Sequence, residues 1–166
     1  MSTCTRRSYM VALLPAALLL TQLPVKAQKE KKSGNADPLI GHWSLDLTKS
    51  TFTPGPAPAG RTLTFEATDN GFRQITKDSG GFLNDQSEYT VSFDGKDHPN
   101  DPAAAVDTYA VKRVDANTIE RTGKNRGMTV ETSTFKISAN GKVLTITLQG
   151  SIRGQDYSST QVYDKL

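Results

Sequence analysis

The chain has 166 residues, enough for one domain with a sizeable core. It carries 20 Lys and Arg, 17 Asp and Glu, two histidines and one cysteine. Three of the bases, Arg6, Arg7 and Lys26, lie in the first 27 residues, which hold no acid, so the rest of the chain is formally neutral and no nucleic-acid partner is expected.

Residues 1–27 read as a signal peptide. Arg6 and Arg7 form its positive end, Met10 to Leu20 its apolar run, and Val25-Lys26-Ala27 ends on the small residue that precedes cleavage. The run is too short to span a bilayer comfortably. Cys4 stands before it, not after it as in a lipoprotein. The expected mature chain therefore has no disulfide, thiol nucleophile or cysteine metal site. It is exported, to the periplasm or beyond the cell. Residues 28–37 are polar, charged and without pattern, as in a flexible linker.

The domain proper, 38–166, opens on Pro-Leu-Ile-Gly-His-Trp-Ser-Leu-Asp-Leu-Thr, with the chain's only tryptophan. Trp43, Leu45 and Leu47 alternate with Ser44 and Asp46, the period of a half-buried strand. Gly41 admits close approach by another group, and Trp43 is the expected core anchor. Thr48 to Gly60, with prolines at 54, 56 and 58, reads as a semi-rigid extended loop that would cover the mouth of a barrel or form a plain connection.

Short strands with turn signals follow. Arg61–Ala67 buries Leu63 and Phe65, and Asp69-Asn70-Gly71 turns the chain into Phe72–Lys77. Phe82–Phe93 ends with Tyr89, Val91 and Phe93 on one face. Lys96–Pro102 is irregular. Val106–Val114 aligns Tyr109 with Val111, and Thr118–Thr122 centres on Ile119. Gly123–Gly127 reads as a basic turn. Met128–Ser138 aligns Phe135 with Ile137, and Lys142–Gln149 sets Leu144, Ile146 and Leu148 against Val143, Thr145 and Thr147. Gly150–Gly154 turns into the final strand, Gln155–Lys165.

The fold class is all-β. About eight to ten strands at hairpin spacing form an antiparallel meander, which avoids exposed edges most simply by closing into a small barrel. A membrane barrel would show an outward apolar band. Here the outward positions are Thr, Ser, Lys, Arg and Glu, and the mean hydropathy is −0.48. No integral membrane protein is expected.

The strand pieces together resemble small secreted bacterial lipocalin-like (calycin-type) β-barrel proteins. The pieces are Gly41-His-Trp-Ser-Leu-Asp-Leu-Thr-Lys-Ser50, Pro54-Gly-Pro-Ala-Pro58, Asp94-Gly-Lys-Asp97, Lys112–Glu120, Ser138-Ala-Asn-Gly-Lys142 and Val162-Tyr-Asp-Lys165. The resemblance implies a barrel with an internal cavity and no settled activity. In lipocalins a basic residue near the last strand covers the tryptophan. Lys165 is the nearest candidate, either as a cation–π partner or as an ordinary solvated lysine. Gly41, Trp43 and Lys165 are thus the expected barrel-base signature.

No Gly-x-Ser-x-Gly or His-Glu-x-x-His occurs, and no catalytic residue is assigned. Asp94, Asp97, His98, Asn100 and Asp101 are metal-ligand types, but their spacing is not that of a calcium loop, so no metal and no cofactor is assigned. His42 is expected to face away from Trp43. The expected partner is a small, largely apolar ligand inside the barrel. Its wall residues would be Trp43, Leu63, Phe65, Tyr89, Val91, Phe93, Tyr109, Leu144, Ile146 and Leu148, unless these simply fill the interior. The alternative is an exported interaction module without an internal ligand, recognising a protein or glycan, or acting as an inhibitor, through the Pro54–Gly60 and Asp94–Asp101 loops. A carboxylate-pair enzyme is a third reading.

Overall fold

The computed structural model describes residues 37–80, 86–101 and 104–166. The expected signal peptide and almost all of the linker lie outside these residues, as does the start of the Phe82–Phe93 strand. Eleven strands occur in the described residues, and no helix. They are β1 (Gly41–Leu45), β2 (Thr51–Thr53), β3 (Gly60–Thr68), β4 (Gly71–Ser79), β5 (Gln86–Ser92) and β6 (Asp97–Pro99). β7 (Thr108–Arg113), β8 (Thr118–Asn125), β9 (Met128–Ile137), β10 (Val143–Ile152) and β11 (Gln155–Lys165) complete the set.

All pairings are antiparallel, in the order β5-β4-β3-β1-β11-β10-β9-β8-β7-β6, with β2 paired to β11. The first strand thus pairs with the last, Trp43 opposite Lys165. The meander curls into a nearly closed barrel. Its seam falls between β5 and β7, where the Gly95 amide donates to the Val111 carbonyl at 3.0 Å. Side chains close the rest. The Tyr89 and Tyr109 rings lie 4.7 Å apart, and the Arg113 guanidinium sits 4.4 Å from the Phe93 ring centroid. Aromatic and cation–π contacts substitute here for ladder hydrogen bonds.

Alternation decides the inside. Trp43, Leu63, Phe65, Phe72, Val91, Val111, Ile119, Phe135, Ile137, Leu144 and Tyr163 are buried and packed in one cluster with Leu39 and Ile146. Phe65 meets Phe72 and Phe135 edge-on, with centroids 5.3 and 6.3 Å apart. Trp43 is wholly buried, and its indole N–H donates to the Leu39 carbonyl at 2.8 Å. The residues just before β1 therefore cross the base of the barrel. Arg113 holds them there by pairing with Asp37.

Several local expectations need correction. Thr51–Thr53 is a short strand within the expected loop, because Phe52 turns inward opposite Ser159. Asp97–Pro99 pairs with β7 although Lys96–Pro102 reads as irregular. Leu47 does not continue the Trp43 face. β1 ends at Leu45, Asp46 turns the chain by accepting the Thr48 amide at 2.9 Å, and Leu47 is 40% exposed. The expected turns Gly123–Gly127 and Gly150–Gly154 shrink to hairpin tips, Arg126-Gly127 and Arg153-Gly154, all four residues at positive φ. Gly123 and Gly150 stay inside strands. Gly71 serves close approach, since a Cβ there would lie 1.9 Å from the Val91 carbonyl oxygen.

Burying an indole removes roughly 150–250 Å² from water, worth about 4–6 kcal/mol at about 25 cal/mol/Å². Trp43→Ala is expected to cost about 3–5 kcal/mol, read as a lowered denaturant midpoint. An unchanged midpoint would remove Trp43 from the core.

Candidate functional site

The interior has two halves. The half around Trp43 is packed aromatic and aliphatic side chain. At the base, the Lys165 ammonium lies 4.9 Å from the Trp43 ring centroid and donates to the Pro38 carbonyl at 2.9 Å. A Cβ at Gly41 would come within 3.0 Å of the Lys165 Cε, and Gly41 has φ +132°. The positive φ favours glycine there, and the absent Cβ leaves room for the lysine. Gly41, Trp43 and Lys165 are thus in mutual contact distance, although 122 residues separate the last two.

Above the packed half runs a belt of polar side chains. Arg121 of β8 is buried at its centre. It donates to Glu131 at 2.7 Å, to Ser133 at 3.0 Å and to the Tyr89 hydroxyl at 2.7 Å. The Tyr89 hydroxyl donates to Gln74 at 2.6 Å, and Gln74 donates to Thr76 at 3.1 Å. The other Glu131 oxygen accepts from the Tyr157 hydroxyl at 3.0 Å. The guanidinium also stacks near Tyr109, 4.5 Å from its centroid, and Phe135, 5.2 Å away.

A second network lies on β3, β4 and β11. Arg61 makes a two-pronged contact with Asp78, at 2.6 and 2.7 Å, and reaches Gln161 at 3.2 Å. Gln161 donates to Ser159 at 2.9 Å and accepts from Tyr163 at 2.6 Å. Burial pushes the Tyr109 and Tyr163 phenols up to about 12 and raises Tyr89 and Tyr157 as well. All four are therefore neutral at physiological pH.

The second network, with Tyr157 of the belt, floors a recess of about 510 Å³ at the mouth. Pro54, Pro56, Ala57 and Pro58 form its lip. Phe52, Leu148 and Tyr157 supply apolar surface, and Arg61, Asp78, Ser159 and Gln161 supply polar groups. The proline-rich loop therefore borders the mouth. Tyr157 also lines a neighbouring depression of about 550 Å³ with Glu131 and Gly150. A Cβ at Gly150 would strike the Tyr157 hydroxyl at 2.6 Å. The missing side chain lets the phenol cross the strand to Glu131.

The expected wall residues share the interior but not one position. Trp43, Leu63, Phe65, Val91, Leu144 and Ile146 are in the packed half, with Phe93 against its edge. Tyr89 and Tyr109 flank Arg121 in the belt. Leu148 faces the recess. His42 is exposed and bonded to Thr64, at 3.0 Å. In the acidic loop, Asp94 bonds His98 at 2.9 Å, Asp97 pairs with Lys124, and Asn100 donates to the Val106 carbonyl. These contacts tie the donors to the loop and its neighbours. Among the described residues no cluster of three or more such side chains forms.

Sequence reasoning missed Arg61, Gln74, Asp78, Arg121, Glu131, Ser133, Ser159 and Gln161. A signal existed. Arg121 has the strand parity of Ile119, Glu131 that of Phe135, and Gln161 that of Tyr163. A polar residue at inward parity is either an error of register or part of an interior network.

No protein-family model matches the chain, and no curated protein sequence does. Solved structures do match in fold. A Schistosoma mansoni fatty acid binding protein in complex with arachidonic acid superposes with TM-score 0.54 at 13% identity, over 80% of this chain and 99% of that one. Zebrafish ileal bile acid-binding protein complexed with cholic acid gives 0.54 at 11%, over 78% and 99%. As-p18, an extracellular fatty acid binding protein, gives 0.51 at 12%, over 78% and 97%. The chain has the calycin-type, lipocalin-like β-barrel fold.

The belt's energetics are testable through its buried pair. Arg121→Met strands Glu131 as an uncompensated charge and is expected to cost about 3–5 kcal/mol, whereas Arg121→Met with Glu131→Leu recovers most of that loss. Denaturant unfolding of wild type, both single variants and the double variant reads the coupling. Additive losses would show that the two charges do not depend on each other.

Proposed function

We propose that the protein is an exported carrier, or sequestering protein, for one small, largely apolar ligand held in the mouth of the barrel. The observation that carries this reading is the recess of about 510 Å³ that opens through the proline-rich lip onto Arg61, Asp78, Ser159 and Gln161. Its size is within the range of roughly 300–1,000 Å³ usual for small-molecule sites, and apolar walls over a few fixed polar groups are what such sites use. The ligands named for the neighbours of this fold, arachidonic acid and cholic acid, are of the same general kind.

In this reading the ligand body lies against Phe52, Leu148 and the prolines. Its polar end meets Tyr157, Ser159 and Gln161. Tyr89 and Tyr109 hold the belt in place from behind. Trp43, Leu63, Phe65, Val91, Phe93, Leu144 and Ile146 are the rigid floor that keeps the ligand high in the barrel. A preformed recess on a rigid floor binds without a large ordering cost. The loop-module alternative, which works through Pro54–Gly60 and Asp94–Asp101, would share its first loop with the lip of this recess.

The test is titration with Nile red, an uncharged polarity-sensitive dye. One-to-one saturable binding with a blue-shifted emission is expected. Leu148→Arg at the recess should weaken it by at least about tenfold, and Lys112→Ser on the outer surface should not. Binding that never saturates, or that ignores Leu148→Arg, removes the site from the mouth.

Export is part of the proposal and rests on residues 1–27. Mature protein recovered from the exported fraction is expected to begin at Gln28, read by N-terminal sequencing. A mature chain beginning at Met1 inside the cell would remove export and leave the binding site in place.

A further inference from the structure

We propose that the polar floor of the recess selects a ligand whose head group is uncharged and hydrogen-bonding, a long-chain alcohol or monoacylglycerol, over the carboxylate of the same chain. This rests on the reading of the mouth as a ligand site and names the ligand class it takes.

The reason is internal charge balance. Among the described residues, two cations face the belt and the recess floor, and each already holds a carboxylate. Arg121 is paired with Glu131 at 2.7 Å, both of them buried. Arg61 is paired with Asp78 through two contacts, at 2.6 and 2.7 Å. The remaining polar groups are hydroxyls and amides, so the belt is neutral as it stands.

An ionised ligand head brought onto this floor would add a partly buried negative charge with no free cation to meet it. It would also approach the carboxylate of Asp78, which lines the recess, and that of Glu131, one hydrogen bond behind Tyr157. Burying an unpaired charge is far costlier than burying a hydroxyl that finds one partner. A hydroxyl head meets donors and acceptors it can use. Ser159 and Gln161 line the recess, and the Tyr157 oxygen retains acceptor capacity beyond the proton it gives to Glu131.

Arg153 is an available cation near the rim, on an exposed hairpin tip. An ion pair formed there in water is weak and screened by salt, so it does not reverse the preference. The same balance says what would reverse it. Removing Asp78 leaves Arg61 free to receive a ligand carboxylate, and removing the Glu131 charge takes away the repulsion behind Tyr157.

The experiment displaces Nile red with a matched pair, cis-9-octadecen-1-ol and its acid, oleate, at pH about 9, well above the ordinary carboxylate range. In wild type the alcohol is expected to bind at least about tenfold more tightly than the acid. Glu131→Gln should narrow or invert that ratio. Asp78→Asn, at the half-exposed second pair, should do the same and carries the test if Glu131→Gln does not fold. Arg153→Ser should leave the ratio unchanged.

Acid binding as tight as alcohol binding in wild type overturns the inference, while the mouth site survives. A ratio unmoved in a folded Glu131→Gln or Asp78→Asn variant also overturns it. Failure of Nile red, alcohol and acid alike to bind removes the mouth site itself, and the head-group preference with it.

Discussion

The buried ion pair of Arg121 and Glu131 is the constraint on which the interior depends. Two charges held away from water are tolerated only when they face each other and their remaining hydrogen-bonding positions are filled. Ser133, Tyr89 and Tyr157 fill them, and Gln74 in turn fixes Tyr89. The β8–β9 register makes this possible by setting Arg121 opposite Ser133 and Glu131 opposite Gly123. A side chain at Gly123 would press on Glu131, Tyr109 and Val106, so the empty position is part of the arrangement. The packed apolar cluster therefore ends at this level.

The base follows a different logic. There the barrel is closed by matter rather than by charge. The indole of Trp43 fills the end, the segment carrying Leu39 crosses beneath it, and Lys165 lies over the ring while bonding the Pro38 carbonyl. Lysine suits this place because its methylenes pack on the apolar surface and its ammonium reaches a carbonyl and an aromatic face together. Since Lys165 comes from the last strand and Trp43 from the first, the contact ties the ends of the domain. The rigid floor that results is what leaves any free volume at the mouth.

The seam shows how an antiparallel meander can close without a full ladder. Between β5 and β7 the tilted Tyr89–Tyr109 ring contact and the Arg113–Phe93 contact take over from backbone pairing. Tyr89 belongs to the seam and the belt at once, so closure of the barrel and satisfaction of Arg121 are mechanically linked. A wide gap at the seam would withdraw a hydrogen-bond partner from a buried cation.

Strand existence, turn positions and the inward apolar set were legible in the sequence, because a half-buried strand writes its environment in a period of two. Leu63 with Phe65, Tyr89 with Val91 and Phe93, and Leu144 with Ile146 and Leu148 read correctly for that reason. Leu47 did not, because the carboxylate of Asp46 ended the strand through a local turn that periodicity does not see. β2 and β6 were missed because three residues are too few to show a period. By itself, then, the sequence determined an all-β chain, its inside and outside, and Trp43 as the anchor. Only the tertiary structure decided that Arg121 would meet Glu131 and Tyr89, that Arg61 would meet Asp78 and Gln161, and that a proline lip would stand over them. Glu131 and Asp78 lie on the next strand of a hairpin, whereas Tyr89 and Gln161 come from strands distant in the chain. All of these meetings depend on register and curvature, which act between strands and leave no periodic mark within any one of them.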